Sequence, residues 1–205
     1  GVISPGGIGF DINCGMRLVR TDLTLEEVAP RLREIVDLLF ARIPAGVGRA
    51  GFVSVSRDEF RAMTERGMEW CLDRRMAIPE DLECTEERGC MAGADARSVS
   101  DEAVERGRRQ VGTLGSGNHY LEVQVARPGG IYDAAAAAAM GIDRPNQILL
   151  MLHCGSRGFG HQVASEYLKR FLAAMGREGR AVRDRELACA PLASREGRAY
   201  FEAMQ

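Results

Sequence analysis

Three short stretches of the chain concentrate side chains that can bind a metal or an anion. The first is Asp11-Ile12-Asn13-Cys14. When the backbone curls between i and i+3, both end side chains reach one point, where a carboxylate is a hard ligand and a thiolate can bridge two ions. The same residues also suit a turn capped by Asp11 with a small, buried Cys14. The second stretch is Gly115-Ser116-Gly117-Asn118-His119-Tyr120-Leu121-Glu122, where Asn118, His119 and Glu122 crowd the entry of a loop into a strand. They offer an imidazole for a metal, an amide for a phosphate and a carboxylate for a base edge. An ordinary polar turn is the alternative. If Leu121 points into the core, strand alternation places His119 on its face and puts Tyr120 and Glu122 opposite. The third stretch is His153-Cys154-Gly155-Ser156-Arg157-Gly158-Phe159-Gly160. His153 ends an apolar run, a position where active-site residues gather in α/β proteins, although a satisfied structural histidine reads the same way. Ser156, Arg157 and the loop amides ahead of a helix make an anion site, and arginine grips phosphate through two N–H groups. The stretch lacks the GK[ST] ending of a Walker loop and the GxGxxG of a dinucleotide fold. His161, at the start of the following helix, reads as structural. Together, Asp, Cys and two His suit Mn²⁺, Zn²⁺ or Fe²⁺ better than Mg²⁺ or Ca²⁺, and the spacings do not choose among the three.

The elements that must position these residues are mixed α and β. Residues 16–21 alternate apolar and basic side chains and read as a strand. Thr24 and Glu27 form a capping-box pattern, and Pro30 fits a first helical turn, so the main early helix is expected at 30–42 with an apolar face of Leu32, Ile35, Val36 and Leu39. Ser56 and Glu59 cap a helix expected at 58–66, and a further helical turn is expected over Met68–Asp73. Residues 79–100 are polar and irregular, and 101–109 look helical. A strand is expected at 119–125, an Ala-rich helix at 133–140 stopped by Gly141, and an apolar central strand at 147–153. The last glycine loop leads into a helix expected at 161–175. Four Gly-rich loops, at 1–15, 43–51, 112–117 and 155–160, punctuate the pattern, with no internal repeat and no domain linker.

Composition sets the outer limits. The chain has 205 residues, 45% hydrophobic and 27% charged, which are globular values and exclude a wholly disordered protein. No apolar run approaches the ~20 residues that span a bilayer and no signal-peptide pattern is present, so a cytoplasmic protein is expected. A net charge of −2 excludes a global basic field, so any nucleic-acid binding must rest on a local basic surface. Lys169 stands alone beside 26 arginines, and only it could form a nucleotidyl-lysine. The six cysteines show no CxxC pair, which argues against zinc ribbons and thioredoxin-like chemistry and for reduced thiols. A first residue that is Gly and not Met reads as the mark of a fragment or a processed chain.

In order, GVISPGGIGFDINCGMRL, IPAGVG, LGSGNHYLEVQ, HCGSRGFGHQVA and DRELACAPLASREGRAYFEAM resemble the RtcB family of RNA-splicing ligases, and the matches run over nearly all of the chain. The resemblance implies an α+β fold, a single mixed domain whose Gly-rich loops converge on a dinuclear metal cleft. It implies a GTP- and Mn²⁺-dependent RNA ligase that joins 2′,3′-cyclic phosphate or 3′-phosphate ends to 5′-hydroxyl ends, in tRNA splicing or RNA repair. In that reaction a histidine is guanylylated, GMP passes to the RNA 3′-phosphate, and the 5′-hydroxyl displaces it. Carried over by motif, Asp11, Cys14 and His119 would hold one Mn²⁺, and Cys14 would bridge to a second ion also bound by His153. Asn118, His119, Tyr120, Leu121 and Glu122 would line the guanylate site, with Asn118 near the phosphate and Glu122 near the guanine. Arg157 and Ser156 would hold an RNA phosphate. The resemblance further implies a monomer, with archease as a helper protein.

Departures from the family concern what is missing. Its members are more than twice this length, and both a further metal-ligating histidine and the guanylylated histidine lie beyond residue 205. None of His119, His153 and His161 stands in such a motif. Residues 1–205 are therefore expected to be a partial ligase domain without the family's C-terminal half, unable to complete ligation alone. Cys154 stands where relatives usually carry Ser or Thr. Two other readings use the same residues: a dinuclear metal phosphoesterase, and an inactive metal- or RNA-binding remnant.

Overall fold

A computed structural model describes residues 1–205 as β1 (Val2–Ile3), α1 (Pro5–Ile8), β2 (Gly15–Thr24), α2 (Leu25–Val28), α3 (Leu32–Arg42), α4 (Arg57–Arg66), α5 (Met68–Asp73), α6 (Pro79–Glu83), α7 (Asp101–Arg108), β3 (Tyr120–Ala126), α8 (Ala134–Ala139), β4 (Gln147–Cys154), α9 (Arg157–Arg177), β5 (Ala190–Pro191) and α10 (Arg195–Met204). The mixture agrees with the expected α+β class. These elements divide into two compact units, each built from separated segments. One comprises residues 1–13, 53–111 and 156–205, and the other 14–52 and 112–155. No helix is long and apolar enough to cross a membrane.

The sheet unit, residues 14–52 and 112–155, holds a three-stranded antiparallel sheet in the order β2-β4-β3. Its middle strand is the apolar run expected to be central, and Ile148 and Leu149 on it are buried. Gln147, the first residue of β4, is fully buried and bonds four backbone groups. Its Oε1 accepts from Asp143 N at 3.1 Å and Arg144 N at 3.2 Å, and its Nε2 donates to Thr21 O at 2.8 Å and Gly141 O at 3.1 Å. That satisfies every valence of the amide. Two of the glycine loops close on each other: Ala45 and Gly115 form a bridge, with Gly46 N donating to Gly115 O at 2.7 Å. Glu27 accepts from Thr24 N at 2.8 Å, as the capping pattern implied. The helix expected at 30–42 starts later, at Leu32, because Ala29–Arg31 forms a tight 3₁₀ turn around Pro30.

The helical unit, residues 1–13, 53–111 and 156–205, packs α4, α5, α7, α9 and α10 around Phe60, Trp70, Val104, Val163, Tyr167, Phe171 and Tyr200. Phe171 and Tyr200 meet edge to face at 5.7 Å, a favoured aromatic geometry. β1 pairs with β5, Val2 opposite Pro191, and ties the first residues to the last segment of the unit. Ser56 and Glu59 cap α4 as expected, and Met68–Asp73 is helical as read. Residues 79–100 are irregular apart from α6 and two 3₁₀ turns. The largest departure is α9, which begins at Arg157 and not at 161. Glycines disfavour a helix intrinsically, but packing decides here: a Cβ on Gly160 would lie 1.9 Å from Ser156 Oγ, so only glycine fits the first turn.

Candidate metal and nucleotide site

In the sheet unit, strand register brings the sulfur and imidazole donors together. β4 pairs His153 with Met16 of β2 on one side and with Tyr120 of β3 on the other. Cys14 precedes β2 by one residue and therefore stands at the same end of the sheet as His153. Its Sγ lies 3.0 Å from His153 Nε2 and 3.5 Å from His119 Nε2. The two imidazole rings are 5.7 Å apart, centre to centre. Cys14 is exposed, so an ion has access to the donors. Nitrogen and sulfur donors about 2.1–2.3 Å from one ion stand at separations of this order. The donor set thus fits a transition-metal ion of the Mn²⁺, Zn²⁺ or Fe²⁺ kind.

Tyr120 packs edge-on against the His153 ring at 5.7 Å, and its hydroxyl lies against Met16 Sδ at 3.6 Å. The ring contact holds the His153 imidazole in place, as the partners of ligand side chains commonly do. Here simple alternation misleads. The sequence reading placed His119 and Tyr120 on opposite faces, yet both reach His153. The strand begins at Tyr120, so His119 belongs to the preceding loop and escapes the pleat. Leu121 pairs with Leu152 on the other face. Asn118 is exposed in the turn before the strand. Glu122, opposite Met151, shares the Tyr120 face and accepts from Gln124 Nε2 at 2.7 Å. Cys154 donates its thiol to Leu114 O at 2.9 Å, so a sulfur serves at this position as a hydrogen-bond donor to the glycine loop.

In the helical unit, the Asp11 and Arg157 loops are joined. Asp11 Oδ1 accepts from Arg157 N at 3.1 Å and lies 3.4 Å from Ser156 Oγ. Ser156 N donates to Ile12 O at 3.2 Å. Arg157 has φ of 58° and Asn13 has φ of 57°, both in the left-handed region. Non-glycine residues adopt it at a cost of about 1–2 kcal/mol, and such strain clusters at functional sites. Gly158 N donates to Gln110 Oε1 at 2.8 Å, an anchor of the arginine loop that no sequence signal announces. His161 is exposed, and its ring lies tilted beside that of Phe10 with centres 5.6 Å apart.

The family model described as tRNA-splicing ligase RtcB matches residues 1–205. The chain is 50% identical over 204 residues to a tRNA-splicing ligase RtcB of Pyrobaculum aerophilum. It is 46% identical to one of Methanococcus maripaludis and 48% identical to one of Aeropyrum pernix. Each comparison covers 100% of this chain and 42% of the relative, so the chain spans about two-fifths of the length of these curated relatives.

Proposed function

Because the chain belongs to the RtcB family of tRNA-splicing ligases, we propose that residues 1–205 carry the metal- and nucleotide-binding part of an RNA ligase. The observation that supports this reading most directly is the meeting of Cys14 Sγ with the Nε2 atoms of His119 and His153. Cys14, His119 and His153 would hold Mn²⁺, two ions in all, with Asp11, three residues before Cys14 in the chain, adding a carboxylate. Mn²⁺ bound there would neutralise phosphate charge and orient the phosphate for in-line attack. Tyr120 keeps the His153 ring in its ligating orientation, and Leu121 anchors the strand behind it. GTP is the nucleotide in this reading. The Asn118 amide donates to its phosphate, and the Glu122 carboxylate accepts from the N–H edge of the guanine, with Gln124 as the resting partner. Arg157 and Ser156 hold the RNA 3′-phosphate, and the hydrogen bond from Arg157 N to Asp11 fixes where that arginine starts.

The ligation partners are an RNA end bearing a 2′,3′-cyclic phosphate or 3′-phosphate and one bearing a 5′-hydroxyl. The histidine that accepts GMP lies outside residues 1–205, so this chain alone does not complete the reaction. We place the protein in the cytoplasm as a monomer that archease assists. The test is calorimetric titration with Mn²⁺ in reducing buffer, on the wild type and on Cys14→Ala, with circular dichroism to establish that both are folded. Binding to the wild type that is lost in Cys14→Ala is expected. Equal binding by both folded proteins, or none by the folded wild type, overturns the assignment of these ligands within residues 1–205. GTP-independent cleavage of a cyclic-phosphate RNA end would point to the phosphoesterase reading.

A further inference from the structure

The helical unit gathers arginines beside the Arg157 loop. Glu105, on α7, is bonded by three of them: Arg108 at 2.7 Å, Arg109 at 2.7 Å and Arg57 at 3.3 Å. Arg108 chiefly holds its carboxyl down at about 2, so it stays ionised. Three guanidinium groups on one carboxylate leave two positive charges. Arg57, Arg106 and Arg109 share a shallow cavity of about 340 Å³ with Asp101, Glu102 and Glu105. Arg61 neutralises Asp101 at 2.6 Å, and Arg106 offsets Glu102 in the count, so the two-charge surplus stands. The side chains of Arg57 and Arg109 are 57% and 69% exposed, free to turn toward a ligand while Arg108 keeps Glu105 paired.

This cluster is fastened to the start of α9, which Arg157 opens. Arg106 Nη1 donates to Gln162 Oε1 at 2.5 Å, and Gln110, just past α7, accepts from Gly158 N at 2.8 Å. The C-terminal end of α7 and the first two turns of α9 are therefore bonded neighbours. A helix C-terminus carries partial negative charge, which the arginines of the last turn of α7 more than offset. Arginine forks match phosphate oxygens in geometry as well as charge.

We propose that Arg57 and Arg109, with Arg106 between them and the Arg157 loop, form a track for the RNA backbone, taking nucleotides next to the one whose phosphate sits at Arg157. This inference rests on the reading of the protein as an RNA ligase and names where its substrate strand runs. The partner class is single-stranded RNA, read through phosphates and without base specificity.

The experiment is fluorescence anisotropy with a fluorescein-labelled oligouridylate of about 12 nucleotides ending in a 3′-phosphate, titrated across a range of salt. Uridine 3′-monophosphate, too short to follow the track, serves as competitor. The proteins are the wild type, Arg57→Ser/Arg109→Ser, Arg57→Lys/Arg109→Lys and Arg157→Ala. Each single-strand phosphate contact contributes a slope of about 0.7 in log K against log salt, so the serine pair should flatten the slope by about 1.4. At ~0.1 M salt, taking 1 M as the point where the term vanishes, that is about 25-fold weaker binding of the oligomer. The lysine pair should restore the slope, and the monophosphate should compete alike against the wild type and both pairs. An unchanged slope in the serine pair, or an equal loss for the monophosphate, overturns the track. Arg157→Ala separates the two levels: it should weaken both probes. A wild type that binds neither probe brings down the ligase reading and this inference together.

Discussion

Replacing Gln147 by Leu should lower the stability of the sheet unit by about 4 kcal/mol. The side chain is fully buried, and leucine nearly conserves its bulk, so packing loss is small. What is lost is a set of four hydrogen bonds, to Asp143 N, Arg144 N, Thr21 O and Gly141 O, at 2.8–3.2 Å. Each net contribution is about 1 kcal/mol, and stranded buried groups cost at least as much, which gives the sum. For a chain of this size 1 kcal/mol moves the melting temperature by about 2–4 °C, so a drop of about 8–16 °C is expected in thermal melts followed by circular dichroism. Gln147→Glu should be worse at neutral pH, because a carboxylate oxygen would face the carbonyls of Thr21 and Gly141. Its folded state favours the protonated acid, so this variant should recover stability as pH falls. Manganese binding should survive in Gln147→Leu below its melting point, since His153 is held by pairing to both Met16 and Tyr120. A melting shift under about 3 °C for the leucine variant would refute the reasoning, for it would mean water or rearrangement satisfies the four groups at little cost.

Two further outcomes follow from buried or paired titratable groups. The Tyr200 hydroxyl is buried without a hydrogen-bond partner, and burial pushes its pKa up to about 12. Tyr200→Phe should therefore raise stability by about 1–3 kcal/mol at neutral pH. It should also remove a stability loss that the wild type shows as pH rises from about 10, where the unfolded tyrosine ionises, through about 12. At the acid end, Ser56 N and then Arg74 hold the Glu59 carboxyl down at about 2. A depressed carboxyl stabilises above its unfolded value near 4.5 and loses that contribution as pH falls through about 2. Glu59→Gln should flatten the acid unfolding limb in that window, and an unchanged limb would show that the α4 cap contributes nothing there.

Much of the architecture was legible because local rules and tertiary packing agree. The apolar run Gln147–Cys154, the Ser56/Glu59 cap and the Met68–Asp73 turn each carry their signal within a few residues. The start of α9 was not legible, because Gly158 and Gly160 argue against a helix until Ser156 is seen against Gly160. The ligand types were readable as Cys14, His119 and His153, but their meeting was not. It depends on the β2-β4-β3 register, which sequence spacing does not contain. The alternation rule failed at His119 for a local reason: it applies within a strand, and that residue lies one position outside. Gln110 and Arg57 had no local signal, since their partners Gly158 and Glu105 lie far off in the chain, whereas Arg108 and Arg109 follow Glu105 at i+3 and i+4, a spacing the sequence does carry.

The pairing of β1 with β5 has a consequence for how the protein is made. Val2 and Ile3 find their partners at Pro191 and Ala190, so β1 cannot pair until residue 191 has been made. At about 5–20 residues per second, that wait is roughly 10–40 s. Residues 14–155 contain every strand of the larger sheet and emerge complete before the final segment of the helical unit. Synthesis order therefore favours the sheet unit as the earlier one to fold. The helical unit, in which Leu192 N donates to Gly1 O at 3.0 Å, closes only after that late segment has been made.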